Sequence, residues 1–279
     1  NIHDPAQETQ LLYGEPVRLM KEEEDGWVYV EALEQPEFSH AKRWQSYPGW
    51  LPASALLLWQ PLLAPNLVVT ERWASSWTDG HALTHTPWQF AMGTKLRGTN
   101  FADQLWRIEL LDGSMVWIRH SAAKRLQDLA TLNTDQRRPL IIRNALELLG
   151  EPYFWGGRSP HNRLLANHAT GVDCSGLINV AYRAAGIDVP RDAHEQLLRA
   201  RSVTTLQPAD LIFLSERDNP TRIVHVMLYA GDGQIIEGPG TGQLVRRIAL
   251  EERLGHAVEE LTSGMVIEGQ TVSFGTYLP

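Results

Sequence analysis

One cysteine stands in 279 residues, and its setting constrains this chain more than any other feature. Thr170-Gly171-Val172-Asp173-Cys174-Ser175-Gly176-Leu177 leads into a run to Ala185 in which Leu177, Ile178, Ala181, Ala184 and Ala185 recur at helical spacing. Gly186, with Pro190 just beyond, is a stop signal. Asp173 suits an N-cap, which places Cys174 in the first turn of the helix. There the helix dipole and the free N–H groups favour a negatively charged sulfur. A lone thiol so placed is either a nucleophile or a small buried apolar residue.

Downstream residues weigh toward the nucleophile. Ile223 to Ala230 is rich in branched and aromatic residues and reads as a buried strand. Gly231-Asp232-Gly233 is a turn signal, and Gln234 to Glu237 reads as the returning strand. Paired residues of a hairpin have a constant sum. A turn centred on Gly231 therefore sets His225 opposite Glu237, to within one residue of register. A carboxylate facing an imidazole fixes its tautomer and favours imidazolium, leaving the other ring nitrogen to face a thiol. The alternative is a core histidine satisfied by a neighbouring glutamate.

Asp173-Cys174-Ser175-Gly176, the His225 strand, Pro152-Tyr153-Phe154-Trp155-Gly156-Gly157 and Pro190-Arg191-Asp192-Ala193 with Gln196 occur in this order between about Arg138 and Ile267. Together they resemble the NlpC/p60 family of papain-like cell-wall cysteine peptidases. The resemblance implies an α+β papain-like domain in which Cys174 attacks an amide, His225 moves protons and Glu237 orients His225. It adds Tyr153 as a second oxyanion donor beside the Cys174 N–H, and gives Trp155, Gly156 and Gly157 to the cleft wall. In this family the third catalytic residue is most often histidine; here it is Glu237. A second departure is the insertion from Ser159 to Thr170.

The implied substrates are peptidoglycan stem peptides or muropeptides, cut between γ-D-glutamate and a diamino acid such as meso-diaminopimelate. In relatives with bacterial SH3 (SH3b) domains ahead of the catalytic domain, a tyrosine of the first SH3b domain and the residues flanking the cysteine hold a free L-Ala amine. The matching positions are Tyr47, Asp173 and Ser175, with Glu15 as a further negative charge. Arg191 and Asp192 either bind a substrate carboxylate or pair with each other. Two readings stand beside this one. The first is an N-acetylmuramoyl-L-alanine amidase or acyltransferase of the same architecture. The second is a non-catalytic wall-binding protein.

Nine of the ten tryptophans precede residue 118, and helical periodicity emerges only after Asp135. The expected architecture is multidomain: two small all-β SH3b-like barrels over 1–60 and 61–133, then the α+β papain-like domain over 134–279. Leu12 to Val17, Gly26-Trp27-Val28-Tyr29-Val30 and Tyr47-Pro48-Gly49-Trp50-Leu51-Pro52 carry the resemblance to SH3b, with Glu34 to Ser46 expected as a large loop. Pro61, Pro65 and Asn66 suggest a linker. His81 and His85 lack a third ligand and read as loop residues rather than a metal site. A formal net charge of −8 argues against nucleic-acid binding. No run reaches the ~18 apolar residues of a membrane span. Asn1 to Pro5 form no signal peptide, although a leader removed earlier is compatible with the missing initial Met, so both the cytoplasm and the cell envelope stay open. We expect a monomer without cofactor.

Overall fold

The computed structural model describes residues 6–23, 25–58, 64–81, 84–101, 104–162 and 170–279. The first five residues, Pro61 and most of the insertion between Ser159 and Thr170 lie outside them. The chain divides into two compact units: residues 11–131, and residues 132–279 together with the described residues 6–10.

The first unit is β-rich. β1 (Val17–Glu22), β2 (Trp27–Glu37) and β3 (Gln45–Pro52) form an antiparallel sheet, with Tyr47 opposite Ala32. The large loop expected from Glu34 shrinks to the seven residues Phe38 to Trp44. β2 continues past a bulge between Ala32 and Pro36, and the buried Glu37 accepts from the His40 N–H at 3.0 Å and from Gln45. β4 (Leu67–Val69), β5 (Trp73–Trp77), β6 (His85–Ala91), β7 (Lys95–Phe101), β8 (Leu105–Glu109), β9 (Met115–Arg119) and β10 (Ala123–Arg125) make a second sheet in the order β10-β4-β7-β8-β9-β5-β6. Its core gathers Leu67, Phe90, Trp106, Ile108 and Ile118. These are the alternating inward positions that half-buried strands supply. β6 carries no alternation in the sequence and was not expected. It places His85 against Trp77, with ring centroids 5.1 Å apart, and no group of three or more metal-ligating side chains occurs among the described residues.

The second unit is α+β. The short α1 (Leu126–Ala130) ends the first unit, and α2 (Thr134–Leu146), started by an Asn133–Gln136 capping box, belongs to the second. β11 (Arg158–Ser159) and β12 (Gly171–Val172) pair just ahead of α3 (Cys174–Arg183), and α4 (Ala193–Arg199) follows. Then come β13 (Arg201–Ser202), β14 (Leu211–Glu216), β15 (Asn219–Gly231), β16 (Gln234–Glu237), β17 (Arg246–Ala249), α5 (Leu250–Leu254), β18 (Val266–Ile267) and β19 (Gln270–Thr276). The main sheet runs β13-β19-β14-β15-β16-β17, all antiparallel. α3 is buried along its whole length, packed between α2 and β15. The helix lies within the core and carries the cysteine into it, with its buried polar Asn179 and Arg183 bonded to the Val189 carbonyl and to Asp188. Among the described residues no helix is long and apolar enough to cross a membrane.

Candidate active site

The start of α3 is built on close backbone contact. Asp173 has extended geometry (φ −85°, ψ −176°), and its Oδ1 accepts from the Gly176 N–H at 2.6 Å, a side-chain N-cap. Cys174 is thereby the first helical residue. A Cβ on Gly176 would lie 2.0 Å from the Gly157 carbonyl oxygen, and one on Gly157 would lie 2.3 Å from that of Gly171. The Trp155-Gly156-Gly157 loop therefore presses its backbone onto the helix start. The Gly156 N–H, at φ +72°, donates to Asp173 Oδ2 at 2.9 Å. These glycines pack their backbone against the residues that start α3, and the Trp155 side chain stays exposed.

Arg191 is wholly buried and takes up Asp173 from beneath. Its Nη2 donates to Oδ2 at 2.7 Å and its Nη1 to Oδ1 at 3.1 Å. Nη1 also reaches Ser175 Oγ at 3.0 Å, and Nε donates to Thr9 Oγ1 at 3.0 Å. Arg191 is thus an internal partner of the helix cap, not an open receptor for a substrate carboxylate. Asp192 lies 3.6 Å away, so the pairing of these two neighbours is present in a looser form. Ser175 Oγ also donates to Asp173 Oδ1 at 3.2 Å.

His225 and Glu237 meet, but not as the hairpin arithmetic placed them. Leu228 pairs with Ile236 and Tyr229 with Ile235, and a bulge falls before the Gly231–Gln234 pair. This register sets Glu237 opposite residue 227, two positions from His225. Two is the side-chain period of a strand, so His225 stays on the face of Glu237 and reaches it diagonally. Nε2 of the ring lies 2.8 Å from Glu237 Oε2, and Cys174 is near enough to the ring to raise its pKa. With Nε2 spent on the carboxylate, Nδ1 is the nitrogen left for the sulfur.

Burial is the strongest single influence on His225 and disfavours its charge. The hydrogen bonds to Cys174 and Glu237, with their negative charges, outweigh it and push the pKa up to about 9. Burial likewise opposes the charge of Glu237. The hydrogen bond and charge of His225, then Arg246 and Arg253, bring it down to about 2. At neutral pH the ring is an imidazolium held between a carboxylate and the cysteine. Tyr153, bridged to Val172, has its pKa raised by burial, then by the negative charges of Cys174 and Asp173, so its hydroxyl keeps its proton.

Tyr47 and Glu15 belong to the first unit. Tyr47 is buried with its ring 5.4 Å from that of His40, and Glu15 Oε2 accepts from Gln35 at 2.9 Å.

Two features escaped the sequence. Residues 6–10 join the catalytic unit: Gln7 donates to the Trp155 carbonyl at 3.0 Å, and Gln10 accepts from the Arg158 N–H at 2.7 Å. Arg158 itself is fully buried, with Nε and Nη2 both donating to Asn179 on α3. The second is the pair Arg246 and Arg253 on Glu237. The Arg246 contact follows from the Gly238–Gly242 turn, which sets Arg246 opposite Glu237 in the next hairpin. Residues 6–10 carry no periodic signal.

A thiol at a buried helix start, an imidazole beside it and a carboxylate holding that imidazole thus stand together on an α+β scaffold. Residues 150–263 match the NlpC/P60 family. It is 29% identical over 252 residues to a gamma-D-glutamyl-L-lysine dipeptidyl-peptidase of Bacillus cereus, covering 87% of this chain and 70% of that protein. A gamma-D-glutamyl-L-lysine dipeptidyl-peptidase of Bacillus subtilis is 27% identical over 253 residues, covering 90% and 78%. The crystal structure of an NlpC/P60 family protein from Bacillus cereus superposes with a TM-score of 0.76 at 27% identity, over 98% of this chain and 82% of that one. The likeness thus extends through the β-rich unit as well as the catalytic one.

Proposed function

We propose that this protein hydrolyses peptidoglycan-derived peptides at the bond between γ-D-glutamate and the following diamino acid, with Cys174, His225 and Glu237 as a catalytic triad. The observation that carries the reading is the His225–Glu237 bond with Cys174 beside the same ring, in a chain that resembles two γ-D-glutamyl-L-lysine peptidases over most of its length.

Sulfur attacks the γ-carbonyl, and the tetrahedral oxyanion is held by the Cys174 N–H, which lies outside the helical ladder. The Tyr153 hydroxyl, kept protonated, is the second donor. His225 gives its proton to the leaving amine as the C–N bond breaks, leaving a thioester. It then takes a proton from water, whose oxygen displaces the sulfur. Glu237 keeps the ring in one orientation throughout. Asp173 and Ser175, which flank the cysteine, are the proposed receptor for a free L-Ala amine. Asp173 shares its charge with Arg191 and acts there as half of that pair. The two β sheets, separated between residues 52 and 67, are read as two SH3b-like modules.

The test is incubation with L-Ala-γ-D-Glu-L-Lys and L-Ala-γ-D-Glu-meso-diaminopimelate. Release of L-Ala-γ-D-Glu by the wild type, and none by Cys174→Ala, supports the proposal. Intact tripeptides, or cleavage at an N-acetylmuramoyl–L-Ala bond instead, overturn it.

A further inference from the structure

Glu237 is gripped from more sides than the orientation of one ring requires. It is fully buried on β16. Oε2 takes His225 Nε2 at 2.8 Å and Arg253 Nε at 3.2 Å. Oε1 takes two bonds from Arg246, from Nε at 3.0 Å and Nη2 at 2.7 Å. Three elements each contribute a cation to this carboxylate: β15 gives His225, β17 gives Arg246 and α5 gives Arg253. Cys174 of α3 lies beyond the ring. Arg246 is the direct cross-strand neighbour of Glu237, and the two arginine side chains keep 41% and 28% of their surface in solvent.

Building on the triad reading above, we propose that Arg246 and Arg253 are positioning residues, a clamp that keeps Glu237 ionised and aimed at His225. A carboxylate stripped of water takes up a proton unless cations and donors replace the lost hydration. A protonated Glu237 would no longer be a charged acceptor for the ring. Arg246 occupies Oε1, which leaves Oε2 to face the imidazole. Arg253 fills the remaining position on Oε2 and stops the carboxylate rotating. Without the arginines, burial is opposed by His225 alone. The clamp explains how glutamate serves as the third residue from a site closed to water. Both arginines donate to Glu237, and it is through this carboxylate that they act on the ring.

A cross-strand ion pair from Arg246 and a helix-to-strand pair from Arg253 that merely fastened these elements together would leave the titration of His225 unmoved. The experiment therefore follows the His225 ring by NMR in the full chain labelled at histidine, its resonance assigned with His225→Gln. Wild type is compared with Arg246→Gln, Arg253→Gln, the double variant, and the double variant carrying Glu237→Gln. In the wild type the ring senses carboxylate protonation only below about pH 4. In the double variant that inflection moves above pH 4.5, with smaller movements in the single variants, and in the Glu237→Gln background it is absent. Arg246→Lys and Arg253→Lys restore part of the displacement. On the tripeptide, the double variant loses roughly tenfold in kcat at pH 5 relative to pH 7, with KM changed less than twofold.

An inflection at the same pH in wild type and double variant overturns the clamp. So does a Glu237→Gln chain whose ring titrates as the wild type does, which would overturn the triad reading too. If the inflection moves but wild type leaves the tripeptides whole, the clamp stands and the substrate assignment falls. Should the double variant not fold, the single variants carry the same test, since each keeps one arginine on the carboxylate.

Discussion

Arg191 grips Asp173 in a buried fork, Nη2 to Oδ2 at 2.7 Å and Nη1 to Oδ1 at 3.1 Å, beneath the first turn of α3. The residue that caps the cysteine helix is thus also half of an ion pair closed to water. Removing one member of such a pair costs about 3–5 kcal/mol, because the other is left buried and uncompensated. Arg191→Met should lose stability of that order. The double change Arg191→Met with Asp173→Asn should lose less, since Asn still caps and carries no charge. Denaturant unfolding checks both; a single variant within 1 kcal/mol of wild type would refute the burial argument.

Glu237→Gln tests the orienting role directly. The amide presents one acceptor and one donor group where the carboxylate presents two acceptors, so the wrong tautomer of His225 becomes accessible. In serine hydrolases the comparable change costs about 10⁴-fold in kcat. A loss of roughly 10²–10⁴-fold in kcat, with the fold intact by circular dichroism, is expected here. A variant retaining a third of wild-type kcat would remove Glu237 from the mechanism.

The shared proton of His225 and Glu237 ties stability to pH. His225 titrates near 6.5 in the unfolded chain and about 9 when folded, where its bonds to Cys174 and Glu237 outweigh burial. The stabilisation is complete below 6.5 and fades as pH rises to 9. Glu237 falls from 4.5 to about 2, because the imidazolium and the arginines outweigh burial. Its stabilisation is complete above 4.5 and fades toward pH 2. This network's contribution should therefore be level between pH 4.5 and 6.5 and decline on both sides. Cys174→Ala removes the sulfur bond, so its alkaline decline should finish at lower pH than in the wild type. Thermal unfolding across pH 3–10 checks this, and coincident alkaline limbs would count against the sulfur–imidazole contact.

The sequence showed the start of α3 plainly, because a cap, a lone thiol and helical periodicity fall within a dozen residues. The pairing of His225 with Glu237 was legible only to the side-chain period. The Gly231–Gln234 pair places the turn beyond Gly231, a slip of three, and the bulge before Gly231 takes back one; the net shift of two preserves the face. β19 went unread, although it runs from Gln270 to Thr276 beside β14, because polar Gln270, Thr271, Ser273 and Thr276 break up its apolar residues. Arg191 was left open between substrate and neighbour. Its true partner, 18 positions back, is fixed by tertiary packing that no local pattern encodes.

Gly176 makes the tightest demand on a single side chain. In a helix interior, alanine is normally preferred over glycine by about 0.5–1 kcal/mol. Here a methyl group would lie 2.0 Å from the Gly157 carbonyl oxygen, and the obstacle is backbone, not a side chain that can swing aside. Gly157 in turn rests on Gly171, which β12 holds just ahead of α3. The strain therefore cannot relax outward without moving the loop that faces the thiol. Gly176→Ala should reverse the usual preference and destabilise by about 1–3 kcal/mol, the cost of overpacking a close contact. It should also lower kcat, since the N–H of Cys174 and Tyr153 both move with that loop. Alanine at this position with wild-type stability and turnover would show that the loop and helix are not in the contact that sets the oxyanion donors.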